Sequence, residues 1–173
     1  MIRIVIAEDQ ELLLGAMGSL LNLEDDMEVV GLASNGEEAL TLVHQLQPDV
    51  CLMDIEMPKI TGLEAAEALN PSPCKVIILT TFARIGYFRR ALEANVKGYL
   101  LKDSPSDELV SSIRSVIAGK RIYSPELMDS ESSADELDND KTINENSTDQ
   151  SKTLGTVRSY FSTIIDKIKL PTG

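Results

Sequence analysis

The chain has 173 residues, 43% of them hydrophobic, with a formal net charge of −12; that length suits one domain of roughly 100–150 residues and an appendage. No apolar run approaches the ~20 residues that span a bilayer, and the opening MIRIVIAEDQ turns acidic too soon for a signal peptide, so a soluble protein of the cytoplasm is expected. Charge is uneven: residues 1–123 carry 11 basic and 18 acidic groups, 124–152 carry 2 and 9, and 153–173 carry 3 and 1, so only the far C-terminus leans toward nucleic acid.

Five β-rich apolar runs follow one another: IRIVIA (2–7), MEVVGLA (27–33), DVCLM (49–53), KVIILT (75–80) and KGYLL (97–101). Each precedes a stretch long enough for a helix. Leu13, Met17, Leu20 and Leu21 fall at helical spacing, as do Leu109, Ile113, Val116 and Ile117. For the last helix Ser104 is the expected N-cap, Pro105 the first helical residue, and Gly119 the stop. Such alternation predicts an α/β fold, a doubly wound five-stranded parallel sheet with helices on both faces. The unbroken apolar character of strands one, three and four fits strands covered on both sides. Cys51 and Cys74 lack a C-x-x-C spacing and read as two small buried groups. The lone His44 reads as a helix-flank residue, so a His/Cys metal centre has little support.

In doubly wound sheets ligands bind beyond the carboxyl ends of the strands, near the reversal of strand order. There the chain places Glu8 and Asp9 after strand one, Asp54 after strand three, Thr80 at the end of strand four and Lys102 after strand five. Singly, each has a plain structural role; together, three acids, a hydroxyl and a lysine suit phosphoryl transfer to a carboxylate. Asp9 and Asp54 can supply oxygens to an octahedral Mg²⁺, with Glu8 in reach of one of its waters. The ion offsets the repulsion between clustered carboxylates and an incoming phosphoryl group. Asp54 is then the nucleophile, Thr80 a hydrogen-bond donor to a phosphoryl oxygen, and Lys102 its ionic partner. Pro58 and Gly62 suit a tight turn beside the site.

With IVIAEDQ, PDVCLMDIEMPKITG, VIILTT and KGYLLKD in this order, residues 1–123 resemble a response-regulator receiver domain of two-component phosphorelays. The resemblance implies Glu8 and Asp9 as the acidic pair, Asp54 as phosphoacceptor, Thr80 as switch hydroxyl, Tyr99 as the rotating aromatic and Lys102 as the site lysine. It also implies the main-chain carbonyl of Glu56 as a further Mg²⁺ ligand. Many receivers have proline directly after the lysine; here Asp103 intervenes and proline waits until Pro105. The segments LLLGAMGSLLNLEDDMEVVG, TTFARIGYF, KDSPSDEL and GKRIYSPELM are similar to the LuxR-tailed (NarL/FixJ) subfamily, in particular to the type that controls a membrane fatty-acid desaturase. A membrane thermosensing histidine kinase is the partner this implies, with a homodimer on phosphorylation.

Residues 124–152 read as a flexible acidic linker, poor in large apolar groups. Residues 153–173 carry the order Thr156, Val157, Arg158, Tyr160, Ile164, Lys167, Ile168, which resembles the recognition helix of a LuxR-type helix-turn-helix, with Thr156, Arg158 and Ser159 toward promoter DNA. The two helices that precede it in that family have no counterpart in the linker, so the output domain reads as incomplete. Two outputs stay open: transcription, or a receiver-only protein that competes for phosphoryl groups. An aspartyl-phosphate hydrolase is a third reading, but it calls for a second Asp two residues after the nucleophile, where this chain has Glu56. A flavodoxin-like electron carrier would need a hydroxyl-rich first loop, and this one is acidic.

Overall fold

A computed structural model describes residues 1–82 and 84–124, and of Ile85 the backbone alone. Residues 125–173 lie outside the described residues, and with them nearly all of the expected linker and the whole expected output helix, including Thr156, Arg158 and Ser159. The elements are β1 (Ile2–Ala7), α1 (Glu11–Leu21), β2 (Met27–Ala33), α2 (Gly36–Leu46), β3 (Val50–Asp54), α3 (Gly62–Leu69), β4 (Lys75–Thr80), α4 (Ile85–Glu93), β5 (Gly98–Leu101), α5 (Ser106–Ile117) and β6 (Ile122–Tyr123). All strands run parallel in the order β2-β1-β3-β4-β5-β6. The order reverses between β1 and β3, which brings the residues after Ala7 and the residue ending β3 to one crevice.

Period-two alternation sorts each central strand between two cores. Val5, Ala7, Cys51, Met53, Val76, Ile78 and Tyr99 face α2, α3 and α4. Ile4, Ile6, Val50, Leu52, Ile77, Leu79 and Leu100 face α1 and α5. The predicted stripes pack there: Leu13, Met17, Leu20 and Leu21 from α1, and Leu109, Ile113 and Val116 from α5, are buried, with Ile117 partly so. Burying a side chain of this size stabilises by ~1.5–3 kcal/mol, which is why the helices hold although none exceeds 12 residues. Cys51 and Cys74 are both buried free thiols, and His44 is exposed on α2.

Three local expectations change. The sheet has a sixth strand, β6, whose two residues are too short to show a period. Strand three begins at Val50, one residue later than the run 49–53, and has Asp54 as its last member. The start of α5 also moves by one residue. The turn that carries Lys102 toward the site uses the Ser104 N–H for the Leu101 carbonyl. Pro105 keeps ψ at 143° and becomes the N-cap, leaving Ser106 as the first helical residue. Gly119 ends α5 as expected, at φ 92°. Its N–H donates to the Val116 carbonyl and that of Lys120 to Ser115, the Schellman pattern.

Candidate functional site

Three carboxylates and a lysine meet where the strand order reverses. Ligand oxygens of Glu8, Asp9 and Asp54 all lie within 4.8 Å of one another. Asp9 is exposed, while Glu8 and Asp54 are buried, at 1% and 6% exposure. Lys102, at 4% exposure, points its Nζ between them, 2.6 Å from Glu8 Oε2 and 3.1 Å from Asp54 Oδ2. The other oxygens are held by backbone: the Gln10 N–H donates to Glu8 Oε1 at 3.0 Å, and the Ile55 N–H to Asp54 Oδ1 at 2.8 Å.

Asp54 is aimed by the packing of α3 beneath it. The Gly62 N–H donates to the Ile55 carbonyl at 2.9 Å, and a Cβ on Gly62 would overlap the Asp54 carbonyl oxygen. A capping box then starts the helix: Thr61 Oγ1 accepts from the Glu64 N–H at 3.3 Å and the Glu64 carboxylate accepts from the Thr61 N–H at 2.8 Å. Lys102 is fixed from β4, its N–H donating to the Thr80 carbonyl at 2.8 Å.

Two buried acids against one buried cation leave negative charge poorly compensated. Burial, and next the charge of Asp54, push the Glu8 carboxyl up to about 7, against the pull of Lys102. Burial likewise raises Asp54, again opposed by Lys102. Burial by itself would lower Lys102, but the charges of Asp54 and Glu8 and their hydrogen bonds outweigh it and leave the ammonium raised. Such a set favours a second cation. Donors that are all oxygen, with one carboxylate open to water, fit a hard ion that keeps part of its hydration. Electrostatics and ligand chemistry therefore agree on what the residues can hold.

A cavity of about 210 Å³ opens above these groups and is lined by Asp9, Gln10, Asp54, Glu56, Thr80, Thr81, Phe82, Tyr87 and Lys102. Thr80 is buried, but its hydroxyl is turned to its own loop, donating to the Phe82 carbonyl at 3.1 Å. The exposed Glu56 side chain sits 4.0 Å from Arg84, whose guanidinium lies 5.4 Å from the Tyr87 ring. Tyr99 is not in the cavity: it is fully buried behind Thr80, and burial raises its phenol to about 12, with the Thr80 hydroxyl pulling the other way. So Glu8, Asp9, Asp54, Thr80 and Lys102 converge, Glu56 lines the same cavity, and Tyr99 stands behind them. Gln10, Thr81, Phe82 and Tyr87 are additional wall residues. The first three lie within two residues of expected site residues in the chain, which is the signal that could have found them; Tyr87 is brought in by the first turn of α4.

A parallel sheet in this order with this crevice defines a receiver, and residues 4–114 match the family described as response regulator receiver domain. The chain belongs to that family: it is a response regulator of two-component phosphorelay signalling in the control of transcription. It is 59% identical to the transcriptional regulatory protein DesR of Bacillus subtilis (strain 168), over 98% of this chain and 92% of that one. It is 50% identical to the uncharacterized transcriptional regulatory protein YvfU of the same organism, over 97% and 91%. Among solved structures, a DNA-binding response regulator of the LuxR family from Staphylococcus aureus is 40% identical, with a TM-score of 0.65, covering 68% of this chain and 99% of that one. The receiver domain of the putative response regulator NarL from Mycobacterium tuberculosis is 30% identical, with a TM-score of 0.66, covering 69% and 98%.

Proposed function

We propose that Asp54 accepts a phosphoryl group from a sensor histidine kinase. The observation that carries this reading is the pairing of Lys102 with both buried acids, 2.6 Å from Glu8 and 3.1 Å from Asp54, at the floor of an open cavity. Mg²⁺ would be held by Asp9, Asp54 and the Glu56 main-chain carbonyl, with Glu8 acting through a water, and would supply charge neutralisation for the phosphoryl oxygens. A carboxylate oxygen of Asp54, steadied by the Ile55 N–H, attacks phosphorus; the bond from phosphorus to the donor imidazole nitrogen breaks, and its electron pair leaves on that nitrogen. Lys102 moves its charge from Asp54 Oδ2 to a phosphoryl oxygen. Thr80 turns its hydroxyl from the Phe82 carbonyl to another, and Tyr99 follows as the switch aromatic.

This chemistry is self-phosphorylation and slow self-dephosphorylation at one residue. The remaining assignments extend the reading: a receiver over 1–123, a linker over 124–152, an output segment over 153–173, a cytoplasmic location, a homodimer on phosphorylation and promoter DNA as target. A membrane-borne thermosensing kinase is the partner suited to the likeness with the desaturase-controlling type. Among the described residues no helix is long and apolar enough to cross a membrane.

Intact mass after incubation with phosphoramidate and Mg²⁺ tests the centre of the proposal. The wild-type chain is expected to gain one phosphoryl mass, and Asp54→Ala none. A wild type that gains nothing, or a variant that gains as much, overturns it.

A further inference from the structure

Four cations gather at the edge of the sheet opposite the Asp54 crevice. Lys75 begins β4, Lys97 precedes β5, and Lys120 and Arg121 precede β6. Because these strands are parallel, their first residues share one edge. The ladder sets them in adjacent rows: the Lys97 N–H donates to the Val76 carbonyl at 2.8 Å, and the Ile122 N–H to the Lys97 carbonyl at 3.0 Å. Their side chains converge on a neutral group. Arg121 donates to Asn95 Oδ1 at 2.5 Å, and the Lys97 ammonium donates to the same oxygen at 2.8 Å. One amide oxygen between two cations compensates neither charge. Burial, and next the like charges of Arg121 and Lys75, hold the Lys97 ammonium below its ordinary value. Among the described residues no carboxylate forms an ion pair with Lys75, Lys97, Lys120 or Arg121, whereas Lys59, Arg84, Arg90, Lys102 and Arg114 each have one. Asp49, beside the start of β4, has its carboxylate on the Arg3 N–H at 2.8 Å.

The missing negative charge is encoded just downstream. Between Ser124 and Lys141 the chain carries seven acids, from Glu126 to Asp140, and no base. Ser124 itself is anchored: it is buried, its N–H donates to the Tyr99 carbonyl at 2.9 Å, and its Oγ accepts from the Leu101 N–H at 3.3 Å. The strand from Arg121 to Ser124 covers about 10 Å, and a returning chain needs at least about three residues for that distance. Asp129 and the acids after it therefore reach the edge, while Glu126 is tied too near the anchor. A segment joined through so few residues meets its target at an effective concentration on the order of millimolar. A separate polyanion has no such advantage and is repelled by a chain of net charge −12.

We infer that the acidic stretch 129–140 docks on the cation cluster of Lys75, Lys97, Lys120 and Arg121, an intramolecular contact at the sheet edge opposite Asp54. Its carboxylates join Asn95 Oδ1 as acceptors for Lys97 and Arg121. Residues 153–173 then follow on a tether shortened to residues 141–152, which keeps the output segment closer to the receiver than the full length of 124–152 would. Because the cluster is at the surface, the contact weakens with salt. It stands independently of the role of Asp54.

Carbodiimide coupling, which joins an ammonium to a carboxylate in contact with it, tests the inference on the full 173-residue chain at low salt. Peptide mass mapping of the monomeric product is expected to join Lys97 and Lys120 to acids of 129–140. The exposed pair of Lys59 and Glu37, 3.1 Å apart, is the internal standard. In 1 M NaCl, where charges are screened beyond about 3 Å, joining of Lys97 and Lys120 to the stretch is expected to fall roughly tenfold relative to low salt. Combining Lys97→Gln with Arg121→Gln should lower joining at Lys120 by a similar factor, with the Lys59–Glu37 product unchanged as the sign of an intact fold. If that variant unfolds, the salt series on the wild type decides. Products of 129–140 that form as often with Lys59 as with Lys97 and Lys120, or that ignore salt, overturn the inference. So does their absence while Lys59 and Glu37 couple. A gel shift with DNA that the double variant abolishes, without intramolecular products in the wild type, overturns it as well and gives the cluster to nucleic acid.

Discussion

Glu8 shows how burial and charge are set against each other at single residues. Its carboxyl, ordinarily near 4.5, stands at about 7 in the folded chain, so between those values the folded state binds more protons than the unfolded one. Stability from this group is therefore fully present below pH 4.5 and is lost as pH rises through 7, by about 3 kcal/mol in all. In urea titrations without divalent cations, Glu8→Gln is expected to flatten the fall in stability between pH 5 and 7.5 relative to wild type. If the proposed Mg²⁺ site is real, adding Mg²⁺ to the wild type should oppose the same fall, because an ion held by these carboxylates would favour the ionised form and only in the folded state. A wild-type slope identical to that of Glu8→Gln would show that the carboxyl is not perturbed. Lys102 explains why the two acids are tolerated at all: a buried charge without a partner costs several kcal/mol, and this ammonium serves both.

At the scale of elements, the tightest constraint is between α3 and the end of β3. The helix start reads T-G-L-E in the sequence, and the structure makes it a capping box over Thr61 and Glu64. Gly62 within it must be glycine because any Cβ would enter the Asp54 carbonyl oxygen. Gly62→Ala is thus expected to destabilise the chain by about 2–4 kcal/mol in urea unfolding and to slow phosphorylation by displacing Asp54. Gly15 in the interior of α1 is the control: a Cβ there meets nothing within 4 Å, so Gly15→Ala should stabilise by ~1 kcal/mol. Equal effects of the two substitutions would contradict the close approach. Asn95, at φ 60°, ends the turn after α4 as Gly119 ends α5, its N–H donating to Leu92 and that of Val96 to Ala91. Asparagine tolerates this conformation, which sets the direction in which β5 leaves for the site.

For the whole molecule, what matters is how a phosphoryl group at one crevice is passed on. On the proposed reading the cavity side is well supplied: an exposed acid to hold an ion, a buried carboxylate to act as nucleophile, a buried lysine and a hydroxyl that has somewhere to turn. The output side is expected in residues 153–173, whose net charge is +2 against −7 for residues 124–152. Because DNA affinity grows with the number of phosphates neutralised and a +2 segment offers few such contacts, a gel shift with the phosphorylated chain and promoter DNA at low salt decides between the two outputs: retardation that disappears as salt rises means transcription. No retardation at low salt would leave the receiver-only output, competition for phosphoryl groups from the kinase.

Much of this protein was legible without coordinates, for one physical reason. Alternating apolar strands and 3.6-residue stripes encode a doubly wound sheet, and such a sheet delivers the residues after its strands to a single edge. Glu8, Asp9, Asp54, Thr80 and Lys102 could therefore be gathered from positions up to 94 residues apart in the chain. What the sequence could not decide depends on distance and packing between elements that share no local signal. That Lys102 bridges both acids, that Thr80 is turned away toward Phe82, and that Phe88 meets both Tyr99 and Tyr123 edge to face follow from side-chain packing in three dimensions, and a two-residue strand such as β6 gains its hydrogen bonds only once β5 is there to receive it.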